Sequence, residues 1–148
     1  MKRFFTLLFL LSGVIFSACS KKSDNTNPPG PVVIDHPSTV TTLAGNGKQG
    51  YADGTKEQAS FNYPSGVVVS NLAFLFVADK QNNIIRIISP QGVVNILAGT
   101  GKAGNSNVKD SVEFNTPNGV GVDFLGNVYV ADMGNTSVRK IDINGVVT

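Results

Sequence analysis

The sequence has 148 residues with 12 Lys and Arg against 10 Asp and Glu, one cysteine, one histidine and no tryptophan. A single cysteine excludes an intramolecular disulfide, and a near-balanced charge gives no electrostatic footprint for nucleic acid. Sixteen glycines and an apolar content of 41% point to a folded, turn-rich chain.

The chain opens with Lys2 and Arg3 and continues through the apolar run FFTLLFLLSGVIF at 4–16 to Ser17, Ala18 and Cys19. A basic start, a short apolar stretch and small residues before a cut describe a secretory signal over residues 1–18. The run is too short to span a bilayer comfortably. Removal of residues 1–18 takes Lys2 and Arg3 away and leaves basic and acidic groups level. The position of Cys19 resembles a bacterial lipobox, with Phe16 where leucine is commoner. That resemblance implies diacylglyceryl modification of the Cys19 thiol, a lipid anchor to a membrane and residence in the cell envelope, on the periplasmic or the surface side. The alternative is an unmodified thiol left by ordinary cleavage. Residues 19–39 carry Pro28, Pro29, Pro31 and Pro37 with little apolar content, and read as a flexible tether. His36 lies in it and reads as a solvated side chain.

Next comes VTTLAG at 40–45, read as a leading outer strand over 40–44, and then LAGNGKQG at 43–50. Gly45, Gly47 and Gly50 match the pattern that cradles a pyrophosphate, but that use needs a helix after the last glycine. YADGTKEQASFNYPSG is too short and too rich in breakers to supply one. The same letters return as LAGTGKAG, with Gly99, Gly101 and Gly104. A cofactor site needs one copy, so the glycines read as a recurring loop with positive φ at several positions, and no cofactor is expected.

The recurrence extends further. A shift of 53 lays residues 61–94 onto 114–147 without a gap, aligning Phe61 with Phe114, Pro64 with Pro117, Gly66 with Gly119, Asp79 with Asp132, Asn82 with Asn135 and Arg86 with Arg139. The glycine loops align at a shift of 54. Such a period signals a repeat architecture. Within the first copy GVVVS, FLFVAD, IIRIIS and VVNILAG are short, β-branched and divided by turn residues. The second copy offers GVGVD, NVYVAD, SVRKID and GVVT. Each unit is therefore an antiparallel meander of four strands, over about 66–98 and 119–148. SPQG at 89–92 predicts a type I turn, and Asn144-Gly145 a type I′ turn.

The string N-x-P-x-G-V, V-A-D, N, R-x-I, G-V-V and L-A-G resembles the NHL repeat. The resemblance covers residues 40–148 and implies an all-β fold of β-propeller blades of four antiparallel strands, about two blades of an incomplete propeller. Propellers close with about four to eight blades, so the expectation is the front portion of a longer reading frame, or else copies assembled into a ring. In a complete ring VTTLAG would supply the outer strand of the last blade.

Residues present in both units read as blade framework. Asp79 and Asp132 end strands before turns holding Asn82 or Asn135, where a short carboxylate accepts backbone amides and Arg86 or Arg139 can pair with it. Phe61, Phe114, Pro64 and Pro117 read as interblade packing. Residues at the end shared by the glycine loops and the VAD turns, read apart from the framework, form the candidate contact surface: Lys48, Tyr51, Asp53, Lys80, Gln81, Lys102, Asn105 and Met133. Asp53 with Glu57, and Asp110 with Glu113, could be imagined as acid/base pairs or calcium ligands, but neither has the alternating ligand loop of a calcium site. Neither catalytic residues nor a metal site are expected from what the repeats contain. The reading is a non-enzymatic, envelope-anchored propeller that binds a protein or glycan through its loop face. The alternative is the N-terminal part of a lactonase- or lyase-like propeller enzyme whose active site lies in further blades.

Overall fold

The computed structural model describes residues 39–148. The signal reading at 1–18, the Cys19 anchor, the tether and His36 lie outside the described residues. Two antiparallel sheets make up the fold. The first has the strand order β1 (Pro64–Val69), β2 (Leu75–Asp79), β3 (Ile84–Ile88), β4 (Val94–Ala98). The second runs β5 (Pro117–Val122), β6 (Val128–Asp132), β7 (Ser137–Ile141). Both carry the same register irregularity at the start, between Pro64 and Gly66 and between Pro117 and Gly119. One-turn 3₁₀ segments, Lys80–Asn82 and Met133–Asn135, close the β2–β3 and β6–β7 turns. Among the described residues nothing longer than these is helical, so the segments that follow the two glycine loops hold no helix for a phosphate to cap.

The sheets pack face to face. Phe76, Ala78 and Ile85 of the first meet Phe114, Val128, Val130, Ile141 and Val147 of the second in one buried cluster. Phe114 is fully buried within it. A smaller cluster of Ala59, Val77, Ile88 and Val94 lies on the other flank of the first sheet, with Phe61 and Leu75 against it. The inner strands β1 and β5 converge closely: a Cβ on Gly66 would stand 2.7 Å from the Asn118 carbonyl oxygen, which only glycine permits. Ser65 adds a hydroxyl bond to the same carbonyl, 2.8 Å.

Three expectations need correction. Residues 40–44 form no strand, because an outer strand exists only by pairing with a third strand, and none of the described residues offers one. The second sheet has three strands, with an isolated bridge between Ile141 and Val147 where a fourth begins. The turn at Asn144-Gly145 is a type I turn with Gly145 in the left-handed region at φ 78°, not a type I′ turn. Asp142 decides this, since its carboxylate accepts the amides of Asn144 (2.8 Å) and Val146 (2.9 Å), a geometry that keeps Asn144 at negative φ. The SPQG turn has the same form, with Ser89 Oγ accepting from Val93 and Gly92 at φ 82°.

Candidate functional site

The loop end is built on a buried ionic network that occurs once per sheet. At the end of β2, Asp79 accepts the Asn62 amide (2.7 Å), the Asn82 side-chain amide (2.8 Å) and Arg86 Nη1 (3.0 Å). Arg86, fully buried, also donates to the carbonyls of Ser60 and Ala52, both at 2.9 Å, and lies 5.0 Å from the centre of the Phe61 ring. In the second sheet Asp132 takes the Asn115 amide, Asn135 and Arg139 in the same way. Arg139 reaches the carbonyls of Glu113 and Ser106 over the Phe114 ring. A buried charge is tolerable only when it is paired, and although Arg86 Nε is buried without a partner, the remaining bonds of each network fix its loop to its sheet.

This fixing positions the exposed groups. Asn82 donates its side-chain amide to the Gly50 carbonyl at 2.7 Å, which holds the first glycine loop against the β2–β3 turn and sets Tyr51 beside Gln81. Asn83, in the left-handed region at φ 52°, donates to the Gly101 carbonyl (3.4 Å) and accepts the Thr116 amide (2.9 Å), which ties the second glycine loop to the same turn. Gly45, Gly47, Gly99 and Gly101 take positive φ. Gly50 and Gly104 instead make room for Ser60 and Glu113, whose side chains occupy the space a Cβ would take.

Between the two loops and the turn lies a cleft of about 390 Å³ lined by Tyr51, Gln81, Asn82, Ile84, Ile96, Thr100, Gly101 and Lys102. An exposed phenol, a primary amide and an ammonium stand over an aliphatic wall, and no carboxylate lines the cleft. Such a surface can stack, hydrogen-bond and attract a neutral or anionic group. Ile84, Ile96 and Thr100 were not singled out in the sequence, since strand and loop residues of these types carry no signal of their own.

The other candidate residues are distributed. Asp53 bonds Arg86 Nη2 at 2.7 Å and belongs to the network. Lys80 reaches across to the Asn118 side-chain oxygen at 3.3 Å and helps join the sheets. Asn105 is exposed on the second loop, away from the cleft. Met133 lines a separate depression with Ala131, Thr136 and Val138. Lys48 lies in a wide opening of about 1210 Å³, beside Phe61, Tyr63 and Pro64. That opening lies on the flank of the first sheet; the equivalent residues of the second, Phe114 and Pro117, are buried against the first, so its shape is that of an interblade surface. Among the described residues no cluster of three His, Cys, Asp or Glu could hold a metal, and no helix is long and apolar enough to cross a membrane.

At the opposite end the turn carboxylates are also engaged. Asp123 is held below the ordinary aspartate value by the Asn127 side-chain amide first, with backbone bonds from Asn127 and Leu125 and the Tyr129 hydroxyl adding to it. The Tyr129 phenol is raised in return, chiefly by donating to Asp123. Asp142 is lowered foremost by the Val146 amide.

Two successive four-stranded antiparallel modules packed face to face, the second represented by three strands and a bridge, are blades of a β-propeller. No family model matches the chain. The chain is 34% identical over 100 residues to Protein SUPPRESSOR OF QUENCHING 1, chloroplastic, of Arabidopsis thaliana, covering 66% of the chain and 9% of that protein. It is 35% identical over 101 residues to NHL repeat-containing protein 2 of Gallus gallus, covering 64% of the chain and 14% of the relative. Among solved structures it is similar to an auxiliary nutrient binding protein from Bacteroides thetaiotaomicron, at 25% identity and a TM-score of 0.58 over 66% of this chain and 27% of that one. The chain is homologous to an NHL repeat-containing protein, and its two modules have the fold of β-propeller blades. It spans about a tenth of the length of the curated relatives it matches.

Proposed function

We propose that this chain is an exported, envelope-anchored NHL-repeat module that binds a protein or glycan partner through its glycine-loop face, without catalysing a reaction. The observation that carries the reading is the cleft in which two glycine loops and the β2–β3 turn bring Tyr51, Gln81 and Lys102 together. Two of the three, Tyr51 and Gln81, are unrepeated, with Asn105 and Gly134 at their repeat positions, and blade packing requires neither; Lys102 recurs as Lys48 of the first loop. The acidic groups nearest the cleft support binding over acid–base chemistry: Asp79 and Asp53 are committed to Arg86. The fold neighbour from Bacteroides thetaiotaomicron is a nutrient binding protein, which agrees with a binding role, although propellers host many activities. The sequence features of residues 1–19 supply the export and anchoring part of the reading.

The test is a titration of soluble glycans and envelope polypeptides followed through the backbone amide resonances. A partner of this face shifts Gln81 and Thr100 to Lys102 first, and Tyr51→Ala weakens its binding without changing the unfolding midpoint. A partner that leaves these amides unmoved and acts elsewhere would refute the assignment of the face. Turnover of any panel member would favour the enzyme reading instead.

A further inference from the structure

The end of the sheets opposite the cleft is apolar where turns are ordinarily polar. Phe124 and Leu125 stand side by side in the β5–β6 turn, 93% and 78% exposed. Ile143, in the turn after β7, is also exposed, and its Cγ2 lies 3.5 Å from the place a Cβ on Gly126 would take, so the two turns form one continuous patch. Leu72, exposed in the β1–β2 turn of the neighbouring sheet, occupies the repeat position of Leu125. The leucine recurs in both copies and is exposed in both. The carboxylates at this end, Asp123 and Asp142, are turned onto the amides of their own turns, so the patch is not held off an apolar surface by free charge.

The chain enters the sheets at the same end. The carbonyl oxygen of Leu43 is 3.8 Å from the position of a Cβ on Gly92, in the β3–β4 turn, which a meander places at the end that holds the β1–β2 turn. The first described residues, up to Leu43, therefore meet the blades at the end of the apolar turns and away from the Tyr51–Lys102 cleft.

We propose that the apolar turns Leu72, Phe124–Leu125 and Ile143 dock into the lipid surface to which the chain is anchored, so that the glycine-loop face points away from the bilayer. This rests on the envelope anchoring read at Cys19. The contact is apolar rather than ionic, so it holds on phosphatidylcholine and resists salt.

An environment-sensitive fluorophore on Phe124→Cys, compared with one on Gln81→Cys, tests it in the full chain bound to membranes containing brominated phosphatidylcholine. Quenching by the brominated lipid is expected at 124 and not at 81. In a Cys19→Ser background, Phe124→Ser and Leu125→Ser are each expected to lower membrane recovery about tenfold, the partitioning value of one large apolar side chain. Both positions are solvent-facing, so the unfolding midpoint should not move. Equal quenching at both positions, or none at 124, overturns the proposal. So does a label at 124 that is shielded from water yet unquenched by lipid, since that outcome means a protein covers the turns. Labelled palmitate incorporation at Cys19 reports the anchoring separately: its absence together with quenching at 124 would remove the anchor and leave the docking intact.

Discussion

The two blades share a sequence pattern but not an environment. Ile85 of the first is fully buried, while its repeat partner Val138 is 73% exposed. Ala78 and Ala131, and Phe76 and Tyr129, differ in the same direction. The first member of each pair faces the second blade; the second member has no further blade against it among the described residues. Burial in this architecture is thus a property of the interface between repeats, and one repeat cannot bury its own apolar flanks.

The ionic networks differ as well. Arg86 is held by two carboxylates, Asp53 at 2.7 Å and Asp79 at 3.0 Å. Arg139 has one, Asp132 at 3.2 Å, because Asn107 stands where the loop register would put the second acid. The largest expected effect follows from this contrast. Arg86→Met leaves a buried carboxylate and two carbonyls without their donor, and should cost about 3–5 kcal/mol. Arg139→Met should cost less. Urea denaturation midpoints of the two variants measure the difference, and equal losses would mean that Asp53 adds nothing.

An intermediate effect separates the two inner-strand glycines. A Cβ on Gly66 would meet the Asn118 carbonyl oxygen at 2.7 Å and the Gly119 Cα at 2.9 Å, whereas on Gly119 the nearest atom is the Ala131 Cβ at 3.7 Å. Gly66→Ala should therefore destabilise by about 1–3 kcal/mol through backbone displacement, and Gly119→Ala should be nearly silent in the same thermal scan. A loss at Gly119 matching that at Gly66 would mean that the close approach of β1 and β5 is not what matters.

The smallest effect is a gain. Ala73 stands at φ 61° in the turn where the second blade has Gly126 at φ 88°. Ala73→Gly should stabilise by about 0.5–1 kcal/mol, the relief of a left-handed alanine less the extra freedom glycine has in the unfolded chain. Gly126→Ala should cost a similar amount. A calorimetric midpoint that falls on Ala73→Gly would show that the turn is not strained.

The 53-residue shift, the alternation within VAD-type strands and the glycine loops were legible in the sequence because they are local: each depends on residue spacing and turn chemistry within a few positions. Repetition also marked Asp79, Arg86 and their partners as framework, although not the carbonyls they bind. The type of the Asn144-Gly145 turn was not legible, since Asn-Gly favours type I′ in isolation and the carboxylate of Asp142 overrides it. The role of Asp53 was hidden for a related reason: its partner lies 33 positions away.

The sequence by itself therefore determined the class of fold, the order of strands and which positions repeat, because backbone hydrogen bonding and side-chain alternation are set by neighbours along the chain. The tertiary structure decided that residues 40–44 meet no strand partner among the described residues, that Tyr51, Gln81 and Lys102 of the eight candidate surface residues share one cleft, and that the apolar turns share an end with Leu43. These outcomes depend on which segments approach through space, and short-range spacing carries no record of that.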